Sequence, residues 1–118
     1  MIKKIILDTN FLVDSLKFKI DIFSELRRIL DVNYEIFVLD KTLEELKKIK
    51  KEKLILKLVE EYNVGIIETD EGTVDDLIVD LVNENYIVCT NDSELKKRVK
   101  EKKLSIITIR QKKYYKLD

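Results

Sequence analysis

Short apolar runs alternate along this chain with segments whose apolar residues recur at helical spacing. Residues 3–7, 35–39, 65–68, 86–89 and 105–109 are rich in Ile, Val and Leu, and each is four or five residues long. Nearly continuous apolar runs of that length are the pattern of parallel strands buried on both faces. Between them, 10–16, 20–30, 41–49, 52–62, 73–83 and 93–102 repeat apolar residues every three or four positions, as helices covering a sheet do. The second of these places Ile22, Phe23, Leu26, Ile29 and Leu30 on one face, and the third Leu43, Leu46 and Ile49. Strands alternating with helices through short loops predict βαβ units. The expected fold is a three-layer α/β sandwich around a central, mostly parallel five-stranded sheet. Residues 1–118 read as one domain without linker or repeat, and Gly65 and Gly72 fall at element boundaries.

Composition narrows the chemistry. There is no histidine and a single cysteine, Cys89. That removes Ser-His-Asp and Cys-His nucleophiles and any imidazole base near neutral pH. It also disfavours zinc, because the remaining ligands are carboxylates, which suit hard cations. No apolar run approaches the ~20 residues needed to span a bilayer, and the first residues do not read as a signal peptide. With one cysteine unable to form an internal disulfide, the expected location is cytoplasmic.

The net charge of zero conceals an asymmetry. Residues 1–92 carry 13 basic and 20 acidic side chains, whereas 93–118 carry 10 basic and 3 acidic. An acidic body with a basic C-terminal segment suggests carboxylates beside a phosphate-binding surface; a solvated lysine-rich helix is the plainer alternative. Tyr114 and Tyr115, interleaved with Arg110, Lys112, Lys113 and Lys116, suit base stacking, or else they close the core beside the fifth strand.

In open parallel sheets, ligands bind beyond the carboxyl ends of the strands. Asp8 follows the first predicted strand, and Asp92 stands three residues after Cys89. Asp75 and Asp76 occupy the first turn of their helix, and Glu45 lies about one turn into the helix after strand two. Each has a modest reading when taken alone. Asp8, Asn10 and Asp92 could cap helices, Asp75-Asp76 could complement a helix dipole, and Glu45 could be solvated surface. Together they place carboxylates from four elements at one sheet edge, which repel one another unless a cation intervenes. Mg2+ or Mn2+ suits such a site. Either would supply what no side chain here can, activation of water at neutral pH and stabilisation of charge on a phosphoryl oxygen.

The ordered set Ile5-Ile6-Leu7-Asp8-Thr9-Asn10-Phe11, Leu43-Glu44-Glu45-Leu46, Val74-Asp75-Asp76-Leu77-Ile78-Val79 and Ile87-Val88-Cys89-Thr90-Asn91-Asp92-Ser93-Glu94-Leu95 resembles the PIN domain superfamily of metal-dependent nucleases. Within it, the chain is most similar to the endonucleases of small-subunit ribosomal RNA processing. The features that favour them over the toxin ribonucleases of toxin–antitoxin pairs are Asp8-Thr9-Asn10-Phe11, the 17–21 stretch, the doubled Asp75-Asp76 and the 91–99 segment. The resemblance implies a Mg2+- or Mn2+-dependent ribonuclease with catalytic carboxylates at Asp8, Glu45, Asp75 and Asp92, Asp76 being the alternative ligand to Asp75. It also implies Asn10 and Thr90 as supporting polar groups, RNA (precursor ribosomal RNA in particular) as substrate, and a homodimer as the assembly. Lys96, Lys97, Arg98, Lys100, Lys103 and Arg110 would then neutralise phosphates. A catalytically silent RNA-binding scaffold and a toxin-type ribonuclease are the rival readings. An aspartyl-phosphate phosphotransfer domain also places Asp after a first strand, but position 10 here is Asn where a second Asp would be expected.

Overall fold

The computed structural model describes residues 2–118. Six strands form one sheet: β1 (Lys3–Leu7), β2 (Tyr34–Leu39), β3 (Gly65–Ile67), β4 (Tyr86–Cys89), β5 (Ile106–Arg110) and β6 (Tyr114–Leu117). Their spatial order is β3-β2-β1-β4-β5-β6. All neighbours are parallel except β5 and β6. The helices are α1 (Thr9–Lys17), α2 (Ile22–Ile29), α3 (Asp40–Lys48), α4 (Glu52–Leu56), α5 (Val74–Leu81) and α6 (Ser93–Glu101). A π-helical turn, Lys57–Glu61, continues α4.

Strand alternation divides the core in two. Ile5 and Leu7 of β1, Ile87 and Cys89 of β4, and Ile107 and Ile109 of β5 face Phe11, Leu12, Leu26, Leu54 and Leu58 on the helices of one layer. Ile6, Val88 and Ile106 face Val74, Ile78, Leu95 and Val99 of α5 and α6 on the other. Both faces of β1 are therefore covered, which is why its sequence reads as an apolar run rather than as alternation.

The expected strand count is corrected. The sheet has six strands, not five, because the chain turns back after Arg110. Gln111 and Lys112 both take positive φ, 53° and 55°, as the central residues of a turn that the Lys113 amide closes onto Arg110 O at 3.0 Å, within the loop 111–113 between the paired Arg110 and Tyr114. Of the two readings left open for the tyrosines, Tyr115 takes the core one. Tyr115 is 1% exposed, its hydroxyl lies 2.6 Å from Ser15 Oγ, and its ring lies 4.7 Å from that of Phe11. It is a core residue bracing α1, not a stacking platform for bases.

The face of α3 also differs from the predicted one. Thr42 and Leu46 are the buried residues of this helix, while Ile49 is half exposed. A threonine tolerates that position because its hydroxyl meets the Thr9 hydroxyl at 3.2 Å, so burial leaves no polar atom unpaired.

Candidate active site

The chain leaves β1 toward β2 on one side and returns to β4 on the other. The loops after β1 and β4 therefore diverge and open a crevice at their carboxyl ends. Asp8 stands at the end of β1. Its amide donates to Cys89 O at 3.1 Å, which continues the β1–β4 ladder up to the carboxylate itself. The residue is 4% exposed. It occupies the N-cap position of α1, yet its side chain makes no capping bond. Oδ2 instead accepts a hydrogen bond from the Thr90 hydroxyl at 2.9 Å.

Burial pushes the Asp8 carboxyl up to about 6, and the charges of Asp75 and Asp92 add to that, while the Thr90 hydroxyl and the Thr9 amide pull the other way. Asp75 is also raised, first by burial and then by Asp92, with Asp76 and Glu45 adding repulsion and Arg98 offsetting part of it. The acids thus feel one another. A polar cleft of about 260 Å³ is lined by Asp8, Thr9, Asn10, Glu45, Thr73, Val74 and Asp75. An adjoining cleft, lined by Asn10, Phe11, Asp14, Asn91 and Asp92, shares Asn10 with it.

Local chemistry positions each group. The Thr9 hydroxyl donates to Glu45 Oε1, tying the exposed acid of α3 to the start of α1. Thr73 caps α5 by accepting the Asp76 amide, and the first turn of that helix brings Asp75 to the cleft. Asp92 caps α6, its Oδ1 accepting the Leu95 amide at 2.9 Å, while its own amide donates to Thr90 Oγ1. Asp8 is thus free of capping, whereas Asp92 caps a helix beside the site. Asn10 lies inside α1 and is exposed, so the cap read for it from sequence belongs to the Asp8 position.

Asp76 turns away from the cleft and pairs with Arg98, Oδ1 to Nη1 at 2.8 Å. Lys96, Lys97 and Lys100 lie along α6, with Lys103 just beyond it, and none of these four joins an ion pair among the described residues. Arg110 ends β5 and pairs with Asp118 at 3.0 Å. Three residues at this edge escaped sequence reasoning. Thr42 was hidden by the leucines around it, although a poor helix former inside α3 was its signal. Asn91 donates to Ile109 O at 3.1 Å and accepts the Ile109 amide at 2.7 Å, pinning the loop after β4 to β5. Asp14 lies one helical turn beyond Asn10 and lines the adjoining cleft.

Among the described residues, no three acidic side chains converge tightly enough to form a closed metal cage. Mg2+ does not require one, since it is held by one or two carboxylates and keeps several waters. A donor set made only of hard oxygens, with one carboxylate raised by burial and further by its acidic neighbours, fits such an ion.

A parallel sheet with acids gathered where β1 and β4 diverge is the architecture of the PIN-like domains, and the chain belongs to that family, whose model matches residues 5–112. Among curated proteins, it is similar to Ribonuclease VapC4 of Methanocaldococcus jannaschii, with 36% identity over 125 aligned positions covering 97% of this chain and 95% of that protein. Among solved structures it is similar to the PIN domain endonuclease Utp24, with a TM-score of 0.83, 28% identity, and coverage of 98% of this chain and 90% of the other.

Proposed function

We propose that this chain is an endoribonuclease that hydrolyses RNA phosphodiester bonds with Mg2+ or Mn2+ held at Asp8, Glu45, Asp75 and Asp92. The observation that carries the reading is the buried Asp8 carboxylate, bonded to Thr90 and lining a polar cleft with Glu45 and Asp75. A buried carboxylate among other acids is costly in the absence of a cation, and a nuclease site gives that cost a purpose. A relative named as a ribonuclease and a solved structure named as an endonuclease support the same activity.

The chain's own groups divide the work. Asp8 and Asp75 carry the negative charge that attracts the ion, Glu45 is held toward them by Thr9, and Asp92 adds its charge from the adjoining cleft. Thr90 and Asn10 supply orientation and hydrogen bonding at the cleft wall. The ion, when bound, supplies activation of water and charge stabilisation at the phosphoryl group. Lys96, Lys97, Lys100 and Lys103 contribute sequence-independent attraction for the RNA backbone. Precursor ribosomal RNA is the substrate role we assign, on the resemblance of residues 8–11, 17–21, 75–76 and 91–99.

End-labelled single-stranded RNA incubated with Mn2+ is expected to be cut internally, and Asp8→Asn is expected to lower that rate by about a hundredfold or more. Tight binding of RNA without any divalent-dependent cleavage would instead make the domain a scaffold. A transcript spanning a small-subunit ribosomal RNA processing site should be cut at one position, whereas dispersed cutting would remove the substrate assignment.

A further inference from the structure

We infer that Asp76 serves to orient Arg98, and that Arg98 grips a backbone phosphate of the RNA beside the acidic cleft. The inference rests on the ribonuclease reading above and adds to it a specific contact and its support.

Adjacent helical residues do not share a face, so Asp75 and Asp76 cannot do the same job. Asp75 lines the cleft, while Asp76 accepts from Arg98 Nη1 at 2.8 Å. The amide of Asp76 in turn donates to Thr73 Oγ1 at 3.2 Å, so the acid stands on a capped first turn. The arginine is equally well seated. It lies on α6 between the buried Leu95 and Val99, and α6 is tied again to α5 by Lys102, whose ammonium donates to Val79 O and Val82 O. The guanidinium is close enough to Asp75 to draw that carboxyl down against burial and its acidic neighbours.

Exposure decides against a purely structural role. The side chains of Arg98 and Asp76 are 41% and 60% exposed, and ion pairs that open to water contribute little to stability. Among the described residues, Asp76 is the one hydrogen-bond partner of the Arg98 guanidinium. A guanidinium carries five donors in a planar fork that matches two phosphate oxygens. Asp76 therefore anchors one edge of the fork on the side of α5 and leaves most of its donors available. Lys96, Lys97, Lys100 and Lys103 join no ion pair among the described residues and act as point charges. The doubled acid thus has a division of labour, one carboxylate for the cleft and one for the arginine.

The test is a double-mutant cycle on single-stranded RNA cleavage, combined with direct Mn2+ binding measured by electron paramagnetic resonance. Arg98→Ala is expected to raise KM about tenfold and Asp76→Asn about threefold. The double variant should be no worse than Arg98→Ala alone, because Asp76 acts through Arg98. Mn2+ affinity should stay within about twofold in all three. Fully additive effects, an unchanged KM for Arg98→Ala, or a Mn2+ affinity several-fold weaker in Asp76→Asn would each overturn the inference, the last by making Asp76 a metal ligand. Asp8→Asn serves as the control. Cleavage that survives it does not come from the Asp8 site and removes the proposed active site and this inference together, whereas cleavage lost with it but a flat KM for Arg98→Ala removes only the arginine contact.

Discussion

The Thr90 hydroxyl donates to Asp8 Oδ2 at 2.9 Å, bridging residues 82 positions apart at the ends of two neighbouring strands. Thr90 Oγ1 in turn accepts the Asp92 amide at 3.1 Å. One fully buried side chain therefore holds the central acid and starts the loop that carries the next one. Valine has nearly the same shape but neither hydrogen bond, which makes this position a sharp probe.

Thr90→Val leaves a buried carboxylate oxygen without its donor and the Asp92 amide without its acceptor. Removing one partner of a buried polar pair costs about 1–3 kcal/mol, so urea unfolding should show a loss of roughly 2 kcal/mol. Cleavage should fall by about tenfold or more, since misplaced groups are costly to catalysis. Thr90→Ser, which keeps the hydroxyl, should recover most of both. Wild-type stability in the valine variant would mean that the bond does not matter to the fold.

Asp8 couples stability to pH. Its carboxyl is raised by folding from 3.8 to about 6, so ionisation is harder in the folded protein than in the unfolded chain. The sign follows directly. Above pH 6 the ionised group opposes folding, and that opposition fades as pH falls from about 6 toward 4. In metal-free protein, this group should make the fold more stable at pH 5 than at pH 7. Asp8→Asn should gain on the order of 2 kcal/mol at pH 7 and little at pH 4. Denaturant titrations at both pH values decide it, and an asparagine variant less stable than wild type at pH 7 would refute the assignment.

Divalent ions should act on the same carboxylate. Millimolar Mg2+ or Mn2+ is expected to raise the melting temperature at pH 7.5 by about 3 °C or more, since a ligand bound only by the folded state stabilises it. Chelation should reverse the rise. The effect should shrink at pH 5, where Asp8 is largely protonated, and vanish in Asp8→Asn. Equal shifts in wild type and Asp8→Asn would place the ion elsewhere.

Tyr115 tests the sixth strand. Tyr115→Phe removes the bond to Ser15 and should cost about 1 kcal/mol. Tyr115→Ala also empties the space against Phe11 and should cost about 3–5 kcal/mol. If the ring stacked on RNA instead, Tyr115→Ala would weaken RNA binding while leaving thermal stability unchanged, and Tyr115→Phe would change neither.

The strands β1 and β4 were legible because burial on both faces writes them as apolar runs, and Asp8 and Thr90 could be placed at their ends by counting. The last strand was not legible. Only Tyr115 among its residues points inward, and Lys116 is the kind of charge that protects a sheet edge. Its turn uses Gln111 and Lys112 at positive φ, where sequence reasoning looks for Asn-Gly or Asp-Gly. The choice between Asp75 and Asp76 as cleft residue could not be made from spacing, because a one-residue change in where α5 begins exchanges their directions. The Thr73 cap fixes that start. Glu45 looked like surface because it is surface, and only its bond to Thr9, 36 positions away, turns it toward the acids.

The Ser15–Tyr115 bond joins side chains 100 positions apart, and Ser15 belongs to the helix that begins beside Asp8. Closing so long a loop is entropically unfavourable until many other contacts are in place. The bond therefore depends on the rest of the fold to bring its two ends together. A chain cut before β6 would leave α1, which starts beside Asp8, without this anchor, so the last four-residue strand reaches the cleft without touching it.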